Sequence, residues 1–380
     1  MKTVTAIFVV TILFVLPFLT SCGGGGGGRA DAPTVNALGG QEAMAVAISG
    51  WTIYAAMYPV VPEPVQVNLN ITNPGTSSSY PLPPIVGGGV SVSYDLGSTW
   101  HTYTTANGLG SNYVISLAVS GSTAYAMTNG GLSISTNGGA FWTNVATPVN
   151  LPASSLTHVA ASGANVYIAG PNNVAKSSDY GKTWSAVSIP GAPVGIGPQC
   201  IAVENSIVCI GTSYGLYVSN DGGSTWSLKT QSNGIDGRLI YTVTISGGTI
   251  YVGDQNSNLQ NDGLAISTDG GSTWKNIGNT NGLKGTYVFG PLVLGIAASG
   301  RNIYVSTISG LWHSPDGGQT WSSYTGDSIF SAGAGEVAVS GDDICATAGT
   351  GFALSLNNGA TWTNYDYDPS DTTPKIRRVQ

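Results

Sequence analysis

Carboxylates are the side chains here best able to do chemistry, and two groups among the 19 stand out. Five are expected on variable loops: Glu63, Asp236, Asp254, Asp262 and Asp327. Splitting a glycosidic bond takes two carboxyl groups, one on each side of the bond. Spacing singles out no pair among the five, so Asp236, Asp327, Asp254 and Glu63 stand as catalytic candidates without an assigned partner. The second set lies within an octet written seven times: SYDLGSTW (93–100), STNGGAFW (135–142), SSDYGKTW (177–184), SNDGGSTW (219–226), STDGGSTW (267–274), SPDGGQTW (314–321) and SLNNGATW (355–362). Its third position reads Asp95, Asn137, Asp179, Asp221, Asp269, Asp316 and Asn357. Asn keeps an acceptor oxygen but cannot be a general acid or base at neutral pH. A position that tolerates this exchange is expected to clip a turn shut by accepting backbone N–H bonds. The shared Gly supplies the positive φ of that turn. The closing Trp100, Trp142, Trp184, Trp226, Trp274, Trp321 and Trp362 cover it with a large apolar ring.

Other chemistries lack their residues. The chain shows no nucleophile elbow, zinc motif, phosphate loop or dinucleotide fingerprint, so no cofactor and no metal is expected. The loop GDQNSNLQNDG (253–263) is rich in oxygens, but its spacing matches no EF-hand, and a solvated polar turn is the favoured reading over a calcium loop. With a net charge of −7 and only 12 Lys and Arg in 380 residues, no basic face exists to neutralise nucleic-acid phosphates.

The octets must be positioned by something equally periodic. Their Trp residues lie 42, 42, 42, 48, 47 and 41 positions apart, the length of a four-stranded propeller blade. Upstream of each octet comes a hairpin: VAISGWTIYA (46–55), LAVSGSTAYA (117–126), VAASGANVYI (159–168), IAVENSIVCI (201–210), VTISGGTIYV (243–252), IAASGRNIYV (296–305) and VAVSGDDICA (337–346). A third strand runs into each octet and the Trp opens a fourth. Charged residues at 8% and 55 Gly agree with short strands and tight turns. The expected fold is all-β: one seven-bladed β-propeller over residues 42–366, its octet turn joining strands three and four. Hairpin and octet turns should emerge on one face, leaving the more variable loops on the other. A Pro-rich insertion in blade 1 (57–88) holds the alternating VQVNLNI (65–71) and reads as a lid, a binding arm or edge protection. A ring of equivalent positions on the first strands (Ala45, Ser116, His158, Cys200, Thr242, Gly295, Glu336) should lie near the channel mouth. His158 and Glu336 are its ionisable members apart from the thiol. They are either solvated by channel water or part of a small binding site.

Cys200 and Cys209 flank a tight turn. If Glu204-Asn205 is the two-residue turn, they face each other in disulfide geometry, whereas a shifted turn sets them diagonally. At the N-terminus, residues 1–21 read as an export signal: Lys2, an apolar run from Ala6 to Phe18, then LTSC (19–22). LTSC resembles the bacterial lipobox, which implies lipidation of Cys22, and the Gly after Cys22 implies an outer-membrane address. Gly23 to Gly28 begin a flexible tether that fills residues 22–41. The tail, residues 367–380, is expected to be a surface strap or disordered.

The octets resemble the Asp-box, or BNR, repeats of sialidases, xyloglucan-cleaving enzymes, sortilin-type receptors and photosystem II assembly-factor-like propellers. The resemblance covers nearly all of the chain after the tether and implies the propeller fold, but enzymes and pure binders share it. A sialidase-like site needs three arginines, and the blades hold only Arg238 and Arg301, without the Arg-Ile/Leu-Pro motif. Xyloglucan-cleaving relatives use a cleft between two propellers, and this chain has room for one. The assembly-factor-like propellers carry an arginine-rich surface that is missing here. The expectation is therefore a non-catalytic, membrane-anchored scaffold of the cell envelope, bound through its lipid and presenting a protein or glycan ligand site on the variable loops. Tyr241, Tyr287 and Phe289 are candidates for stacking there. The alternative is a glycoside hydrolase.

Overall fold

The computed structural model describes residues 8–9, 43–60, 86–145, 157–170, 173–189, 197–235, 239–255, 263–284, 291–324, 330, 334–348, 351–367 and 376–379. Seven antiparallel sheets follow one another along the chain, each built from four consecutive strands with the first innermost. Blade 1 comprises Ala43–Ser49, Thr52–Val60, Val86–Ser93 and His101–Tyr103. Blade 4 comprises Cys200–Glu204, Ile207–Thr212, Gly215–Ser219 and Ser227–Lys229. Each inner strand lies beside those of both neighbours, and Ala334–Ser340 of blade 7 lies against Ala43–Ser49, so the ring closes. The protein is a seven-bladed β-propeller. Phe8–Val9 forms two further pairs, with Val119 and Ala118 on the inner strand of blade 2.

A single blade cannot cover both of its faces, so the core divides into seams. Tyr54 and Val92 of blade 1 meet Leu117 and Val119 of blade 2, and similar buried clusters join each later pair of blades. One cluster spans the last two seams: Ala297 and Tyr304 of blade 6, Val337, Phe352 and Leu354 of blade 7, and Val46, Ile48 and Ile53 of blade 1 pack together. Inner strands crowd at the hub, which is why Ala47, Ala118, Ala160, Ala202, Ala297 and Ala338 sit there, fully buried.

The octets clip shut the turns between the third and fourth strands. In blade 4, Ser219 Oγ donates to Asp221 Oδ1 (2.8 Å), and that oxygen also accepts the N–H groups of Ser224 (3.0 Å) and Thr225 (2.8 Å). Thr225 Oγ1 donates to Oδ2 at 2.6 Å, Gly223 N–H donates to Ser219 Oγ, and Trp226 Nε1 donates to Gly223 O. Asn357 substitutes faithfully, accepting from Thr361 N–H at 2.8 Å and donating Nδ2 to Thr361 Oγ1. Gly97, at φ 85°, shows why the fifth position is invariant. A Cβ there would lie 2.8 Å from Leu354 of blade 7, beyond the cost of the left-handed conformation.

A second set of fasteners crosses the seams at the hairpin turns. Ser49 Oγ donates to Gly121 O, Ser120 Oγ accepts from Gly163 N–H, and Ser162 Oγ accepts from Asn205 N–H. Between blades 4 and 5 the Glu204 carboxylate takes both Gly247 N–H (3.0 Å) and Gly248 N–H (2.7 Å), and Ser246 Oγ continues to Ala298 O.

Two expectations change. The hairpin turn of blade 4 is Asn205-Ser206, because Glu204 pairs with Ile207 and Asn205 takes the left-handed φ of 55° that Gly takes in other blades. Cys200 therefore pairs with Gly211 and Cys209 with Ala202, which sets the two thiols diagonally, beyond easy bridging distance, and both are free and buried. Of the tail, Ile376–Val379 forms a fifth strand on Thr363–Tyr367, in keeping with a surface strap. Among the described residues each blade keeps its own four strands, and none is exchanged between blades 1 and 7. VQVNLNI, most of the 57–88 insertion, Cys22 and its tether lie outside the described residues.

Candidate functional site

The octet acids are held as acceptors only. Hydrogen bonds from the Thr183 hydroxyl and N–H pull the Asp179 carboxyl down to about 2, and those from Thr225 do the same for Asp221. Thr99, Thr273 and Thr320 lower Asp95, Asp269 and Asp316 in the same way. Groups ionised this firmly do not donate protons near neutrality.

Of the five loop carboxylates, Asp254 lies among the described residues. Asp254 is buried within Thr249–Gln255, opposite Gly263 and beside the inner strand of blade 5. Asp236, Asp327, Glu63 and Asp262 lie outside the described residues, as do Tyr287 and Phe289. Tyr241 is half-buried at the start of its blade.

His158 and Glu336 do occupy equivalent inner-strand positions, but a repeated bulge sets their environment. The ladder slips just before Ala45, Ser116, Thr242 and Gly295, and between Ala334 and Val337. In blades 3 and 4, Thr157 N–H and Gln199 N–H reach Ala169 O and Gly211 O, whose residues already pair with His158 and Cys200. The bulge turns this position toward the next blade: Cys200 Sγ faces Ile240 O at 3.7 Å, and Ser116 Oγ faces Val159 N–H. His158 is accordingly only 5% exposed and Glu336 8% exposed. The imidazole Nδ1 lies 2.8 Å from Thr157 Oγ1. Burial pulls its pKa down to about 4, with a small opposing effect of the Gln199 backbone. The position serves the seam first and offers little surface to a ligand.

Both turns of each blade do share a face. The octet residue before the invariant Gly donates its N–H to the hairpin turn: Gly138 to Ser122 O, Tyr180 to Ala164 O, Gly222 to Ser206 O, Gly317 to Arg301 O and Asn358 to Asp342 O. That donor position takes positive φ and is Gly138, Gly222, Gly270 and Gly317 in four blades. In blades 1 and 3 it is Leu96 (φ 54°) and Tyr180 (φ 62°), bulky residues in a strained conformation. The strain coincides with an uneven distribution of apolar surface. On this face Trp51, Tyr94, Phe141, Tyr180 and Leu356 are exposed, all on the consecutive blades 7, 1, 2 and 3, with Trp51 75% exposed. Their counterparts in blades 4 to 6 include Ser206, Gly248 and Arg301 at the Trp51 position and Asn220, Thr268 and Pro315 at the Tyr94 position. Within the arc, the seam between blades 7 and 1 opens into a cleft of about 460 Å³, walled by Leu96, Trp100, Leu354, Leu356, Thr361 and Tyr365. The sequence points instead to the opposite face, whose connecting loops lie largely outside the described residues. The arc has its own mark in the octets, where Leu96 and Tyr180 stand in a column of mostly Gly.

No family model and no curated protein matches the chain in sequence. Solved structures do match in shape. One is YCF48 bound to a D1 peptide, with TM-score 0.56, 13% identity, and coverage of 83% of this chain and 93% of that one. Another is the extracellular domain of a hybrid two-component system, BT3049, of B. thetaiotaomicron, with TM-score 0.52 and 14% identity over 72% of this chain and 37% of that one. At these identities the likeness speaks for the fold.

Proposed function

We propose that this chain is a non-catalytic, lipid-anchored scaffold of the bacterial cell envelope that holds a protein partner on its turn-bearing face. The observation that carries the reading is the apolar arc over blades 7, 1, 2 and 3, where Trp51, Tyr94, Phe141, Tyr180 and Leu356 are exposed on one face. Aromatic side chains of this kind are the usual anchors of protein interfaces. YCF48 with its D1 peptide is a propeller of similar shape that engages a polypeptide, which supports the same use here. The Asp-box character of the octets supports a structural and not a catalytic role for their acids. Lipidation at Cys22 supplies the membrane attachment. The inner strand of blade 1 begins at Ala43, at the end away from the Gly50-Trp51 turn, so the tether would not have to cross the arc.

The test places a photo-crosslinking residue in the native lipoprotein, either on the arc at 356 or 141 or on the opposite face at 308 or 214. A single specific protein adduct from 356 or 141 supports the reading, and adducts from 308 or 214 alone, or none from either face, end it. Palmitate labelling lost in Cys22→Ser checks the anchor. A panel of fluorogenic glycosides checks the hydrolase alternative, and turnover removed by Asp236→Asn or Asp327→Asn would overturn the non-catalytic reading.

A further inference from the structure

We infer that the central channel is a strand-addition site for an uncharged, β-branched peptide, and that its occupant is this chain's own N-terminal run for as long as that run stays attached. The inference is independent of the apolar arc. In every blade the first strand has one edge on the second strand and the other on the hub, where its backbone N–H and C=O groups meet no strand of their own blade. In blade 2 that hub edge is taken. Phe8 pairs with Val119 and Val9 with Ala118, antiparallel, so the sheet of blade 2 begins with an added strand inside the ring. The inner strands of blades 1, 3, 4 and 5 also lie beside this segment, which places it in the channel and not at the rim. Its direction agrees with the path of the chain. Val114–Ser120 runs toward its hairpin turn, so the paired segment runs away from that turn, toward the face on which Ala43–Ser49 begins.

The surroundings select the chemistry of the occupant. Of the five inner strands beside the segment, Glu204 is the one acidic residue, and Gly247 and Gly248 N–H hold its carboxylate. Burial keeps His158 neutral. A charged side chain brought among them would lose water without gaining a counter-ion, which is costly. The run AIFVVTIL (6–13) carries no charge, and its Ile7, Val9, Val10, Thr11 and Ile12 favour extended backbone. A strand laid on a free edge gains main-chain hydrogen bonds whatever its side chains, and the hub then restricts which side chains can follow. Cutting at Cys22, as the lipobox reading has it, would release the edge.

The experiment uses the full chain with Cys22→Ser and a protease site written into the Gly23–Gly28 run, so that the N-terminal segment can be cut away after folding. A fluorescent peptide of residues 5–11, TAIFVVT, is followed by anisotropy. Saturable binding to the cut chain is expected, with binding to the uncut chain at least tenfold weaker, because its own segment competes from a tether. Val9→Pro in the uncut chain removes a strand donor and should admit the peptide as cutting does. The peptide N-methylated at Phe8 and Val9 keeps its side chains but loses the donor that faces blade 2, and should bind at least tenfold more weakly. Hydrogen exchange read by mass spectrometry should slow at 114–120 when the peptide binds. Failure of the peptide to bind both the cut chain and the Val9→Pro chain overturns the inference. So does equal binding of the N-methylated peptide, or protection that appears around 51, 94 and 356 and not at 114–120.

Discussion

The oxygens of each octet acid are spent inside one turn, so single substitutions there are read in stability and not in turnover. Ser219→Ala removes both the acceptor for Gly223 N–H and the donor to Asp221. A loss of about 1–3 kcal/mol is expected in chemical denaturation, since Ser219 is buried. At the neighbouring position, Asp221→Asn should be milder than Asp221→Ala, because Asn137 and Asn357 already fill this role in two blades. A reversed order would mean that the charge itself is needed. His158 gives a pH signature. Its folded pKa of about 4 lies below the ordinary 6.5, so the unfolded chain binds the extra proton between those values. Stability at pH 7 should therefore erode as pH falls from about 6.5 to 4, by up to about 3 kcal/mol from this group. His313, stacked on Tyr304 and lowered by burial, adds in the same direction. A His158→Gln variant should flatten the slope, and an unchanged slope would show that His158 is charged in the fold. Below pH 4 the octet carboxylates take over, since their lowered values hold stability that is lost as they protonate.

At the scale of elements, the two kinds of turn glycine should behave differently. Gly121 has φ 61° and open space around an added Cβ, whereas Gly97 has φ 85° and would strike Tyr365 and Leu354. Gly121→Ala is expected to cost about 1 kcal/mol, from backbone conformation alone. Gly97→Ala should cost about 2–4 kcal/mol, because the seam must also part. Equal effects in thermal melts would show that the seam yields freely. This difference also marks where sequence reading ends. Blade number, strand order and the clip chemistry were legible because each is repeated seven times at nearly constant spacing. The hairpin register was not: Ser-Gly suggested one turn position, and only the left-handed φ of Asn205 moved it by one residue and separated Cys200 from Cys209. The bulge before His158 left no mark in composition either, so a buried seam position resembled an open one. The cleft depends on Leu96 meeting Leu356, two residues 260 positions apart, and no local pattern joins them.

For the whole molecule, the outer edge of blade 7 is the one to probe. Its last strand, Thr363–Tyr367, is longer than the two-residue outer strands Thr143–Asn144 and Ser322–Ser323, and Ile376–Val379 covers it. Deleting 368–380 should leave the disc folded, with its melting temperature lowered by only a few degrees, yet prone to concentration-dependent association through the bared edge. Light scattering and calorimetry would show this. Cooperative unfolding on deletion would instead identify the tail as a closing strand. The closing seam has a further consequence for biogenesis. Val46 and Ile48 emerge early from the ribosome, but their partners Phe352 and Leu354 are made some 300 residues later. Six finished blades must wait as an open crescent with a greasy flank bare, so export in an unfolded form, or a holding chaperone during translation, would protect this chain at its most vulnerable moment.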